Sequence, residues 1–253
     1  MLNRLKQFAR TKEFHLSMII LIIAIILFTF GIIVLKYNVE GETNMPFELS
    51  KIAIISSQEG VDKETQDSRW AFDIYQANDI YLYISKNDKY SKQEMIKEIT
   101  IDNFRIEKQN NENIGNIKIY KPDAQNENTI FKNKEENIVE SIQYTGAVES
   151  NIKNMQISNQ GGIIVFRCSN NNIAEYKSNE EEINHNQLLK KAGITQEKLK
   201  MKLTFDLTII MEEGKKYKTT IDLEMPQGNI IEEGITSTEI TDLSNVIFKR
   251  EKN

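Results

Sequence analysis

The sequence predicts a mainly β domain carried behind one membrane-length helix. Three observations predict it. Residues Leu16–Leu35, LSMIILIIAIILFTFGIIVL, carry no charge. Beyond residue 45 the apolar residues recur mostly at every second position. Met201–Met225 holds two alternating segments joined by Glu212-Glu213-Gly214-Lys215, the pattern of a β-hairpin.

The helix comes first. At about 1.5 Å per residue, Leu16–Leu35 matches the roughly 30 Å hydrocarbon core of a bilayer. In hydrocarbon each backbone amide needs an internal partner, and a helix supplies it. Arg4, Lys6, Arg10 and Lys12 stand before the run against Glu13 alone. After it comes Lys36, then Glu40, Glu42 and Glu48 before the next base, Lys51. Basic flanks stay on the cytoplasmic side, which predicts a cytoplasmic N-terminus and an extracytoplasmic C-terminal part. The run exceeds the 7–15 residue core of a cleaved signal peptide, and Thr29-Phe30-Gly31 leads into more Ile, Val and Leu, so an uncleaved anchor is expected. Ala24 and Gly31 fall near one stripe, but the Gly-xxx-Gly spacing of tight helix pairs is missing, which predicts a passive anchor. The organisation read from this is a basic tail at 1–15, a transmembrane helix at 16–35, a juxtamembrane linker at 36–45 and a β domain at 46–250. The polar stretch 121–137 offers a second boundary within that domain.

Charge bounds the partners. Residues 1–36 hold five of the 32 Lys and Arg and one of the 37 Asp and Glu, which leaves 27 bases against 36 acids, a net of −9, beyond residue 36. Such a domain has no electrostatic footprint for nucleic acid and is repelled by anionic headgroups. Cys168 is the single cysteine, so no intrachain disulfide forms. No Asn is followed two places later by Ser or Thr. With the bias toward Ile, Lys and Asn, these features point to a bacterial envelope protein.

The β elements follow in order. Ile80, Leu82 and Ile84 alternate with Tyr81, Tyr83 and Ser85; Ile99 and Ile101 give way to Phe104 and Ile106, a change of face that predicts a bulge at Asp102-Asn103. Ile117 and Ile119 repeat the alternation, and Gly162–Arg167 reads as a short buried run. In the hairpin, Met201, Leu203, Phe205, Leu207, Ile209 and Met211 are expected on the core side and their polar neighbours in solvent. Asn186–Ala192, stopped by Gly193, reads as a short helix crossing between sheets, with a further turn at Thr195–Leu199 and a weaker one at Ser91–Ile96. Residues 58–69, 109–116, 122–137 and 169–184 read as loops. Many strands with few helices predict an extracytoplasmic antiparallel β-sandwich, broadly immunoglobulin-like, with one short crossover helix.

No catalytic motif stands out. A Cys–His–Arg transpeptidase would need Cys168, His185 and Arg167 together, but their order and the local sequence RCSNNN do not fit one. One histidine beyond the helix cannot make a two-histidine zinc site, and the glutamate runs 135–136, 180–182, 212–213 and 232–233 lack the spacing of a calcium loop. No Walker loop, GxSxG or dinucleotide fingerprint occurs. Catalytic residues, metals and cofactors are therefore not expected. Trp70, Tyr75, Tyr81 and Tyr83 are the candidate partner surface, because aromatic rings stack on partner surfaces or sugars. The expected function is a single-pass, non-catalytic binding or scaffold protein of the envelope. It is held in the lipid bilayer through Leu16–Leu35 and engages another envelope protein or a wall component. The alternative is an exported wall hydrolase using a carboxylate pair.

Overall fold

The computed structural model describes residues 12–39, 45–90, 92–109, 114–123, 130–148 and 155–251. The basic tail up to residue 11, most of the linker and the middle of the 121–137 stretch lie outside them. The chain falls into two compact units, Met1–Thr43 and Asn44–Asn253.

In the first unit, α1 spans Lys12–Val39. Its stretch Lys12–Val34 is long and apolar enough to cross a membrane, and none of it is covered by protein. Leu16, Ile20, Leu27 and Phe28 are all exposed. The apolar residues lie on every side of the helix, so no face is marked for a protein core. Thr29, one of the two polar residues within Leu16–Leu35, donates its hydroxyl to the Ile25 carbonyl at 2.8 Å, so that donor is not left free.

The second unit is mainly β and holds two sheets. The first contains β1 (Phe47–Asp62), β2 (Trp70–Lys86), β4 (Asn116–Tyr120), β7 (Gly162–Ser178) and β10 (Ile235–Ile240), in the spatial order β10-β1-β2-β7-β4. The second contains β3 (Ile96–Lys108), β5 (Ile142–Ala147), β6 (Gln156–Ser158), β8 (Met201–Met211), β9 (Lys216–Met225) and β11 (Lys249–Glu251), in the order β11-β9-β8-β3-β5-β6. All pairs are antiparallel except β5 with β6, so the second sheet is mixed where an antiparallel one was expected. One apolar cluster draws on both sheets: Ile54, Ile80 and Phe166 from the first, Ile99, Leu203 and Phe205 from the second. Phe166 meets Phe205 edge-on with centroids 5.2 Å apart. The chain crosses between sheets after β7 through a 3-10 turn at His185–Gln187, α2 (Leu188–Lys191) and α3 (Gln196–Leu199). A further helical turn, α4 (Ile230–Glu233), precedes β10.

Several expectations are corrected. The 169–184 stretch is not a loop at its start, because β7 runs on to Ser178, and β1 extends past Gln58 to Asp62. Gln58, Ser169 and Asn170 among these polar residues are interior. Ser56, Gln58, Gln76, Asn78 and Asn170 form a buried belt between the main core and a second apolar cluster of Phe72, Ile74, Leu188, Leu189 and Ile230. Gln58 accepts the Leu189 N–H at 2.7 Å and donates to the Ile230 carbonyl at 2.8 Å, so one buried amide fastens the crossover to β1. Lys92–Met95 contain no helical turn, and Ile96 opens β3 instead. The crossover holds two short helices where one was expected, the second of them, α3, at the further turn read over Thr195–Leu199. The bulge of β3 is present: the register shifts between Asp102 and Arg105, with Asn103 left-handed at φ 52°. The outward row of β8 is not solvated. Thr204, Asp206 and Thr208 are buried because β8 is flanked by β3 and β9, whose side chains cover it. Where β7 runs past the end of β4, the Tyr144 hydroxyl accepts the Val165 N–H at 3.1 Å and donates to the Val165 carbonyl at 2.6 Å.

Candidate functional site

Strand alternation sorts the aromatic residues of β2 onto two faces. Trp70 and Phe72 point with Ile74 into the second apolar cluster, where their rings stack 6.2 Å apart and the Trp70 indole donates to the Glu180 carbonyl at 3.0 Å. Tyr75, Tyr81 and Tyr83 share the opposite, outer face of the first sheet. The four residues thus do not make one surface. Tyr81 and Tyr83 stand beside Val165 and Ile163 in the register of β2 with β7, and the Lys51 ammonium lies 4.3 Å from the Tyr83 ring centre.

The outer face also holds a charge cluster that the sequence pattern did not mark. Arg167 sits opposite Asp79 in the β2–β7 register. Its Nε and Nη2 donate to the two Asp79 oxygens at 2.6 and 3.0 Å, and Nη2 reaches Glu59 at 3.3 Å. Tyr75 donates its hydroxyl to the other Glu59 oxygen. A strap around residues 130–139 lies over the cluster: the Phe131 ring centre is 4.9 Å from the guanidinium, and Asn133 Oδ1 accepts from Nη1 at 3.5 Å. Burial pushes the Asp79 carboxyl above its ordinary value, and Arg167 pulls it back only in part. Burial likewise raises the Tyr75 hydroxyl, reinforced by the charge of Glu59. The only available signal was alternation, which puts Asp79 on the face of Tyr81 and Arg167 on the face opposite Phe166.

Beside this cluster lies an open groove of about 430 Å³. The bulge in β7 makes it. Ile74 pairs with Ala174 while Gln76 pairs with Asn170, so extra residues of β7 are thrown outward around Asn172, left-handed at φ 55°. Tyr75 and Tyr120 reach the groove from β2 and β4, Lys118 and Asn116 from β4, and Glu135 from the strap. Asn171 donates to the Tyr120 hydroxyl at 2.9 Å and accepts from Ser169 at 2.8 Å, which fixes the groove's inner wall.

The remaining candidates scatter. Cys168 is fully buried on the core side of β7, and burial pushes its thiol up to about 12. Arg167 points to the other face, and His185 packs edge-on against Phe72 at 5.3 Å; the three do not meet. Glu180 pairs with Lys191, Glu232 with Lys190 and Glu213 with Lys215. Among the described residues no group of His, Cys, Asp and Glu is placed to hold a metal ion. Comparison with protein-family models, curated proteins and solved structures finds no match for this chain.

Proposed function

We propose that this chain is a single-pass membrane protein of the bacterial envelope whose extracytoplasmic β domain binds another envelope protein or a wall component without catalysis. The observation that carries the reading is α1: over Lys12–Val34 it has no polar face and no protein cover. Leaving that many Ile, Leu and Phe side chains in water costs about 1.5–3 kcal/mol each, which favours hydrocarbon as their surroundings. The basic residues before the helix support a cytoplasmic N-terminus. The strand orders support an immunoglobulin-like sandwich. β1, β2, β7 and β4 lie in the sequence A-B-E-D of that fold, and β9, β8 and β3 in the sequence G-F-C. β5 departs from it, since it pairs with β3 but follows β4 in the chain.

A hydrolase would need a carboxyl in a cleft with a proton to give. Asp79, the carboxyl raised by burial, has both oxygens held by Arg167, which argues for a structural role. The test is a reporter fused after Asn253 together with accessibility of residues in the β domain to an impermeant reagent. Reporter activity outside the cytoplasm and labelling in intact cells are expected. Activity confined to the cytoplasm overturns the placement.

A further inference from the structure

We propose that the groove beside the Arg167 cluster is a binding site for an uncharged saccharide. This rests on the domain being an extracytoplasmic binding module and names the ligand class. Three properties of the groove carry it.

The first is its chemistry. The half-buried ring of Tyr75 lies next to the amides of Asn116 and Asn172, the Lys118 ammonium and the Glu135 carboxylate, with the buried Tyr120 behind them. A sugar ring presents C–H patches that pack on aromatic faces and vicinal hydroxyls that both donate and accept. This lining offers both kinds of partner.

The second is availability. Among the described residues the side chains of Asn116, Lys118, Asn172 and Glu135 make no hydrogen bond within the protein, whereas the wall behind them is fastened through Asn171. Unspent polar groups in front of a fixed wall are what a ligand site requires. The left-handed backbone at Asn172 turns that residue out of the strand.

The third is balance. Lys118 and Glu135 bring one charge of each sign to the lining, and the remaining acid, Asp73, is already paired with Lys63 at 3.0 Å. A groove of near-zero net charge discriminates against phosphates and other strongly charged ligands. Its volume of about 430 Å³ lies within the range of small-molecule sites and suits a short run of sugar rings.

The test uses the full chain in a detergent without a sugar headgroup, titrated calorimetrically. The probes are the tetramers of N-acetylglucosamine and of glucose, the two free sugars, and inorganic phosphate. Saturable binding of at least one neutral probe is expected. It should weaken at least tenfold in Asn172→Ala and in Glu135→Ala, and stay unchanged in Tyr83→Ala, which alters the same sheet face outside the groove. A tetramer held more tightly than its monomer assigns the site to a polymer, and equal affinities assign it to a free sugar. No saturable binding of any neutral probe, affinity untouched by the groove variants, or tighter binding of phosphate overturns the proposal. The topology reporter separates the two readings. An outside reporter without saccharide binding sinks only the groove; a cytoplasmic reporter with binding intact sinks only the placement.

Discussion

Asp79 and Asp206 are covered aspartates on central strands, one in each sheet, and each faces a base. Arg167 grips Asp79, and Lys218 reaches Asp206 at 3.1 Å. By exposed surface they are alike, with 17% and 9% of the side chain accessible. Their carboxyls nevertheless shift in opposite directions. Asp79 is raised, mainly by burial. Asp206 also feels burial, but hydrogen bonds from Asn103, Thr220 and Lys218 outweigh it and hold the carboxyl below its ordinary range. The difference lies in what stands behind the cover. A chain segment with Phe131 covers the Arg167 guanidinium that holds Asp79, whereas Asp206 is screened by the partly exposed Lys218 and the exposed Thr220, with water beyond. Exposed area alone does not decide the fate of a carboxylate; the depth of low-polarity matter around it does.

The comparison breaks hardest with a buried acid that has no partner at all. Phe205→Asp places one between Phe104 and Phe166, and loss of cooperative folding is expected, at a cost above about 4 kcal/mol. Thr204→Asp, on the other face, meets Asp222 across the strand pair and should cost clearly less in the same denaturation experiment. Equal losses would show the register of β8 to be misassigned.

Next comes removal of the cation. Arg167→Ala leaves Asp79 and Glu59 together under the strap and is expected to cost about 3–5 kcal/mol. Asp79→Asn should cost less, because Arg167 keeps Glu59. Urea unfolding ranks the two, and the reverse order would show that the guanidinium does not hold this cluster together.

The smallest effect is the sharpest. Asp206→Asn is expected to cost about 1 kcal/mol near neutral pH, since its base is partly solvated. The two aspartates should also part company on acidification. Asp206 is depressed, so its stabilisation is present above the ordinary value of 3.8 and lost as pH falls through its lower folded value. Asp79 is raised, so its contribution grows as pH falls through its raised value toward 3.8. Unfolding midpoints between pH 6 and pH 3 should therefore fall less steeply in Asp206→Asn than in the parent, and more steeply in Asp79→Asn. Parallel curves for all three would remove the distinction.

What the sequence revealed and what it hid follow the same physics. Alternation in Ile80–Ile84 and Met201–Met225, the bulge after Asp102 and the Gly193 stop were legible because one face of each element is apolar and the other is not. The belt of Gln58, Gln76, Asn78 and Asn170 was hidden. Buried amides bonded to one another and to backbone, with Gln76 Oε1 and Asn170 Oδ1 left without a partner, leave no hydrophobic period, so the starts of 58–69 and 169–184 read as loops. The groove was hidden for a related reason. It depends on a bulge in β7 and a strap folded back from 130–139, and both are products of tertiary pairing rather than of local pattern. The charge cluster shows the limit most plainly, since Glu59, Asp79 and Arg167 meet only through strand register.

The hydroxyl of Tyr144 at Val165 has a consequence for what the protein avoids. An edge strand with an idle N–H and carbonyl invites a stranger's backbone, and sheets grow by accepting it. β7 is an inner strand, but it runs past the end of β4; there one side chain from the second sheet occupies both groups at once, so β7 has nothing to offer an incoming strand at that point. The phenol acts as a stopper: it ends the ladder with a group that cannot itself be extended, and it keeps neighbouring copies from stitching their sheets together there.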